Sequence, residues 1–108
     1  MKKVYNKLVR DNIPEIIIGN GGLPSVRVLD SDEYKSELER KLGEEYQEVL
    51  GTTTRNDRLE ELADMLEIIE SLANIEASSL DSVIEIAKEK KLKRGGFNKR
   101  IFLESVDE

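Results

Sequence analysis

From residue 30 onward, apolar positions recur at helical spacing, and polar or small-residue turns interrupt the recurrence twice. Wound at about 100° per residue, Tyr34, Leu38, Leu42 and Val49 share one stripe. A helix is expected to start near Asp30 to Asp32, with Asp30-x-x-Glu33 as a capping box, and to stop at Gly51 after about Leu50. The polar turn Thr52-Thr-Thr-Arg-Asn56 precedes a second helix, with Asp57-x-x-Glu60 as its cap and an end near Asn74. Its main apolar face is Leu59, Leu62, Leu66, Ile69 and Ala73, with Ile68 and Ile75 on a flank. A third helix is expected from about Ser79 to just before Gly95-Gly96.

The first thirty residues are less regular. Pro14 opens a short helical turn, Glu15-Ile-Ile-Ile18, which Asn20-Gly-Gly ends. Asp11 and Asn12 are candidates to cap it. Ser25 to Leu29 alternates weakly and reads as an extended piece. No internal repeat or low-complexity linker appears. The whole predicts one all-α domain over residues 1–108, a helical bundle with a short irregular N-terminal segment.

Two helices break their own patterns on adjoining sides. Glu45 falls in the middle of the first helix's apolar stripe, with Glu48 about 60° to one side. Glu61 and Asp64 lie on the flank of the second helix, in a stripe shared with Ile68 and Ile75. Each pair is spaced i, i+3, which brings Cβ atoms to roughly 5–6 Å. Folded back on each other, the two helices would aim four acids at one point. A carboxylate facing a helical core costs several kcal/mol unless paired. The plain alternative, an acidic solvated surface, fits Glu44, Glu60, Glu67 and Glu70 better than Glu45. A hard divalent cation such as Mg²⁺ is the natural occupant of such a cluster, because it prefers oxygen ligands.

Composition narrows the chemistry. The 108 residues contain no histidine and no cysteine, which excludes imidazole bases, Ser-His triads, disulfides and thiolate metal sites. No run of around 18 apolar residues is present, and Met1-Lys-Lys-Val leads into charged sequence with no apolar signal region. A cytoplasmic chain without a membrane partner is therefore expected. A net charge of −6 disfavours binding to long nucleic acid. Yet Lys88 to Arg100 holds seven basic residues against Glu89 alone, which suits a small anion.

Glu45-x-x-Glu48 and Glu61-x-x-Asp64, with twelve residues between them, resemble the metal motif of the MazG-type all-α nucleoside triphosphate pyrophosphohydrolases. Tyr5-Asn-Lys-Leu-Val-Arg-Asp-Asn-Ile-Pro14 resembles the N-terminal signature of small house-cleaning members. Lys93-Arg-Gly-Gly-Phe97, followed by Lys99-Arg100, resembles their C-terminal element. The resemblance implies a helical bundle and Mg²⁺ dependence, with Mn²⁺ able to substitute. It also implies cleavage of a nucleotide substrate between its α and β phosphates to a nucleoside monophosphate and pyrophosphate. Glu45, Glu48, Glu61 and Asp64 become the catalytic metal ligands. Lys7 and Arg10 become contacts to phosphate or residues that order the site, and Lys93 and Arg94 become contacts to the β and γ phosphates.

The competing enzyme of the same fold and chemistry is phosphoribosyl-ATP pyrophosphohydrolase. A helical module that binds nucleotide or a protein partner without catalysis is the alternative from another class. Phe97 is expected in the core, with stacking on a base as its other use. Lys41 is expected to pair with Glu48. A three-helix core leaves a flank such as Ile68 and Ile75 uncovered, which predicts a symmetric homodimer or a dimer of dimers.

Overall fold

The computed structural model describes residues 2–107 as four helices with no strand among them. In order these are α1 (Ile13–Gly19), α2 (Ser31–Gly51), α3 (Arg55–Ile75) and α4 (Leu80–Arg94). The fold is all-α. Helices α2 and α3 are both 21 residues long and are joined by Thr52, Thr53 and Thr54 alone. So short a link folds α3 back along α2. This pair holds most of the tertiary packing, and α4 leans on α3.

Local chemistry sets each boundary. Asp30 caps α2 by accepting the Glu33 N–H at 2.9 Å. The Glu33 carboxylate is also taken by both arms of the Arg27 guanidinium, at 2.8 and 3.1 Å. That fork holds Glu33 below its usual carboxylate range. The Ser25 to Leu29 stretch that carries Arg27 is irregular backbone and not a strand. The last carbonyls of α2 have no basic residue in their own turn. The Thr52 hydroxyl and the Arg58 guanidinium both donate to Val49 O, at 2.7 and 3.2 Å. Arg58 thereby ties the start of α3 to the end of α2.

The expected cap of α3 is corrected. Thr54, not Asp57, is the N-cap, and its hydroxyl accepts the Asp57 N–H at 3.1 Å. Helix α4 begins at the Ser79 cap and ends at Gly95, whose φ of 82° suits a residue without a Cβ. Asn12 stands at the cap position of α1, but its side chain makes no capping bond.

Burial corrects the reading of α3 as well. The side chains that go inside are Leu38 and Val49 of α2 and Ile68 and Ala73 of α3. Ile68 is therefore covered and does not form an open flank. Of the expected α3 core face, Ala73 is buried and Ile69 half-buried, while Leu59, Leu62 and Leu66 are exposed at 49 %, 44 % and 47 %. Phe97, expected in the core, is 97 % exposed. Glu70 is half-buried where a solvated residue was expected. The accessible surface is 9957 Å². A compact chain of 12.3 kDa exposes about 6,100 Å². The radius of gyration is 18.5 Å, against about 13 Å for a compact chain of this length. No helix among the described residues is long and apolar enough to cross a membrane.

The capping assignment carries a stability prediction. Thr54→Ala removes the side-chain bond that caps the first turn of α3 and should cost about 1 kcal/mol. Asp57→Asn, which leaves that bond intact, should cost less. Chemical denaturation of both variants checks this; the reverse ranking would return the cap to Asp57.

Candidate metal centre

The site lies on the seam between α2 and α3. Helices α2 and α3 pack along their length and bury Leu38, Val49, Ile68 and Ala73, and the acids stand one to two turns from these residues. Carboxylate oxygens of Glu45, Glu61 and Asp64 all lie within 4.8 Å of one another. Each of the three residues is partly buried. Glu45, in the middle of the α2 stripe, has a side chain only 14 % exposed. Glu48 is exposed and lies outside the converging trio.

Three like charges this close need compensation, and three sources provide it. The first is a proton. The carboxyl of Glu61 hydrogen-bonds to Glu45, and this bond is the main cause that lifts the Glu61 pKa to about 7. Loss of water contacts adds to the shift, followed by the charges of Glu45, Asp64 and Glu48. The second source is Lys41, whose Nζ lies 3.8 Å from Glu45 Oε1, one turn along α2. Lys41 thus pairs with Glu45 and not with Glu48 as the sequence reading had it; the i, i+4 spacing favours the nearer acid. The third is Arg10, whose Nη2 donates to Asp64 Oδ1 at 2.7 Å.

The other residues singled out in the sequence sit elsewhere. The Lys7 ammonium lies 5.8 Å from the centre of the Tyr5 ring, a cation–π contact within the N-terminal segment. Arg94 helps to line a cavity of about 340 Å³ with Lys91, Gly95, Gly96, Lys99 and Arg100. Lys93 is exposed in the last turn of α4 and does not line it. Glu44 is solvated and pairs with Arg40 at 3.5 Å. Sequence reasoning missed the contact between Arg10 and Asp64, because no short spacing links residues 54 positions apart.

The donor set fits a hard divalent cation. It is all carboxylate oxygen, with no nitrogen or sulfur. Opposite ligands on Mg²⁺ are about 4.1 Å apart and adjacent ones about 2.9 Å, so oxygens that lie within 4.8 Å of one another have to draw in to share the ion. A cation entering the trio would compete with protonation of Glu61, whose pKa is lifted to about 7.

No family model matches the chain. Over 54 residues, 50 % of this chain, it is 46 % identical to a protein of Mycolicibacterium smegmatis described only as uncharacterized. The match spans 55 % of that relative, so the chain corresponds to about half of its length. No solved structure matches.

The raised Glu61 pKa predicts a pH dependence in the absence of divalent metal. Below about pH 4.5 the group is protonated in both folded and unfolded chains; between about 4.5 and 7 only the folded chain keeps the proton. Its contribution to stability is therefore fully present below about pH 4.5 and declines as pH rises to about 7. The chain has no histidine to mask this window. Urea midpoints in EDTA should fall from pH 5 to 7.5 in the wild type and stay flatter in Glu61→Gln. Equal slopes in the two proteins would remove the shared proton.

Proposed function

We propose that the chain is a divalent-cation-dependent nucleotide pyrophosphohydrolase that cleaves a nucleoside triphosphate to a monophosphate and pyrophosphate. The observation that carries this reading is the convergence of Glu45, Glu61 and Asp64 at a helix seam, on residues that resemble the metal motif of the MazG-type enzymes. A non-canonical, house-cleaning substrate is the preferred class on the same resemblance.

In this reading Glu45, Glu61 and Asp64 hold Mg²⁺ or Mn²⁺, with Glu48 at the rim of the cluster. The ion supplies neutralisation of phosphate charge and acidification of a coordinated water. The partial burial of Glu45 keeps one ligand fixed on the seam. A carboxylate of the cluster accepts the proton from the attacking water. The basic residues around Gly95-Gly96, Arg94 among them, offer donors and open backbone N–H groups to the outgoing phosphates. The exposed Phe97 is free to stack on a base.

The enzyme works as a homodimer or a dimer of dimers. One chain exposes about 3,900 Å² more than a compact protein of its mass. Obligate dimers bury about 2,000–5,000 Å² in total, or about 1,000–2,500 Å² per chain, so one such interface covers part of this excess. Leu59, Leu62 and Leu66 form an outward apolar stripe along α3, spaced as in helices that pack on helices.

The chemical test is release of monophosphate and pyrophosphate from a panel of nucleoside triphosphates with and without Mg²⁺. Glu61→Gln should lower turnover by about a hundredfold or more, on the scale of about 2.7 kcal/mol, with helicity unchanged. Arg94→Ala should act mainly by raising KM. Absence of pyrophosphate release from every nucleotide would make a non-catalytic binding module the better reading, and full activity in Glu61→Gln would discard the acid cluster.

Assembly is tested separately. Light scattering at micromolar concentration should give at least twice 12.3 kDa, and Leu66→Glu should lower the mass and the melting temperature. A monomer mass for the wild type would overturn the dimer.

A further inference from the structure

Among the described residues, Arg10 and Lys41 are the only basic residues that form ion pairs with the four acids. They differ in kind. Lys41 stands on α2 itself, one turn from Glu45, and belongs to the helix that carries the site. Arg10 arrives from 54 residues away, on a segment with no regular secondary structure before α1. Residues 2–7 of that segment are exposed, and Leu8 is half-buried. Arg10 supplies the one side-chain hydrogen bond by which the described part of the segment reaches the helices.

The guanidinium is therefore a tethered cation held on a carboxylate that the proposed metal also needs. Asp64 Oδ1 is its acceptor at 2.7 Å, and Asp64 is one of the three converging acids. A unit positive charge at that distance opposes entry of a divalent ion into the same cluster. The guanidinium side chain is 56 % exposed, so nothing bars it from leaving.

Resting on the metal reading, we infer that Arg10 is a built-in counter-ion that competes with the divalent cation, so that metal entry releases the N-terminal segment from the α2–α3 seam. The coupling is reciprocal: whatever factor Arg10 takes from metal affinity, the metal takes from the hold of the segment. Once released, the guanidinium fork has the donor geometry for a phosphate that arrives with the substrate. Arg10 is thus a positioning residue that trades a carboxylate for a phosphate.

The test uses Mn²⁺ alone, without nucleotide. Calorimetric titration of the full chain should show Arg10→Gln binding Mn²⁺ about fivefold more tightly than wild type, the scale of a partly exposed ion pair. Arg10→Lys, which keeps the charge, should stay near wild type. Amide hydrogen exchange supplies a readout independent of activity. Mn²⁺ should speed exchange over residues 4–12 of the wild type while slowing it in α2 and α3. In Arg10→Gln the segment should exchange fast from the start and not respond. Equal or weaker Mn²⁺ binding by Arg10→Gln, tightening by Arg10→Lys as well, or slower exchange of the segment on Mn²⁺ addition would each overturn the inference and leave the metal centre standing. No Mn²⁺ uptake by wild type would remove the metal centre and the inference together.

Discussion

The seam between α2 and α3 must hold carboxylates and apolar side chains on the same few turns. Leu38, Val49, Ile68 and Ala73 pull the helices together, while Glu45, Glu61 and Asp64 push them apart. The seam closes because the repulsion is met locally. The Glu61 carboxyl is lifted to about 7 and so holds its proton more tightly, Lys41 stands beside Glu45, and Arg10 reaches Asp64. Each compensating group is mobile or exchangeable in its own way. A proton leaves with pH, and an exposed guanidinium leaves with a competitor. The apolar contacts are permanent and the charge balance is adjustable.

The sequence made the two long helices and the place of Glu45 legible, because both follow from a single 3.6-residue period. Glu45 sits where the stripe calls for an apolar side chain, and its side chain is nearly covered. The face of α3 was misread for a physical reason. That helix has two apolar stripes, one through Leu59, Leu62 and Leu66 and one through Ile68. Periodicity measures how apolar a stripe is, but not which neighbour covers it. The first turns of the richer stripe, Leu59, Leu62 and Leu66, lie outside, while its last turns, Ile69 and Ala73, go inside beside Ile68. The cap of α3 slipped by three residues because Thr54 and Asp57 both head acceptable capping sequences. Phe97 was placed inside on hydrophobicity alone, although the glycines before it end α4 and carry it away from the bundle.

The same burial pattern bears on both the proposed chemistry and the proposed assembly. Four modestly covered core residues make a thin interior for 108 residues. A dry environment around the acids strengthens every interaction there. A single α2–α3 pair provides only part of that environment, since the Asp64 side chain remains 41 % exposed. Covering the leucine stripe with a second chain would stiffen α3 from its far side, and with it the turns that carry Glu61 and Asp64.

The brevity of the turn between Gly51 and Arg55 has a consequence for how the molecule comes into being. All four acids lie within residues 45–64, on two helices that meet through three threonines. Contacts so close in sequence form early, because little chain entropy is lost in closing them. The seam is also a contiguous cassette. Copying residues 31–75 into another protein would transplant the acid seam whole, together with Lys41. Arg10 and the glycine-flanked basic tract, at opposite ends of the chain, would stay behind. Gene duplication or fusion would therefore separate the acid-bearing helices of this molecule from Arg10 and the basic tract.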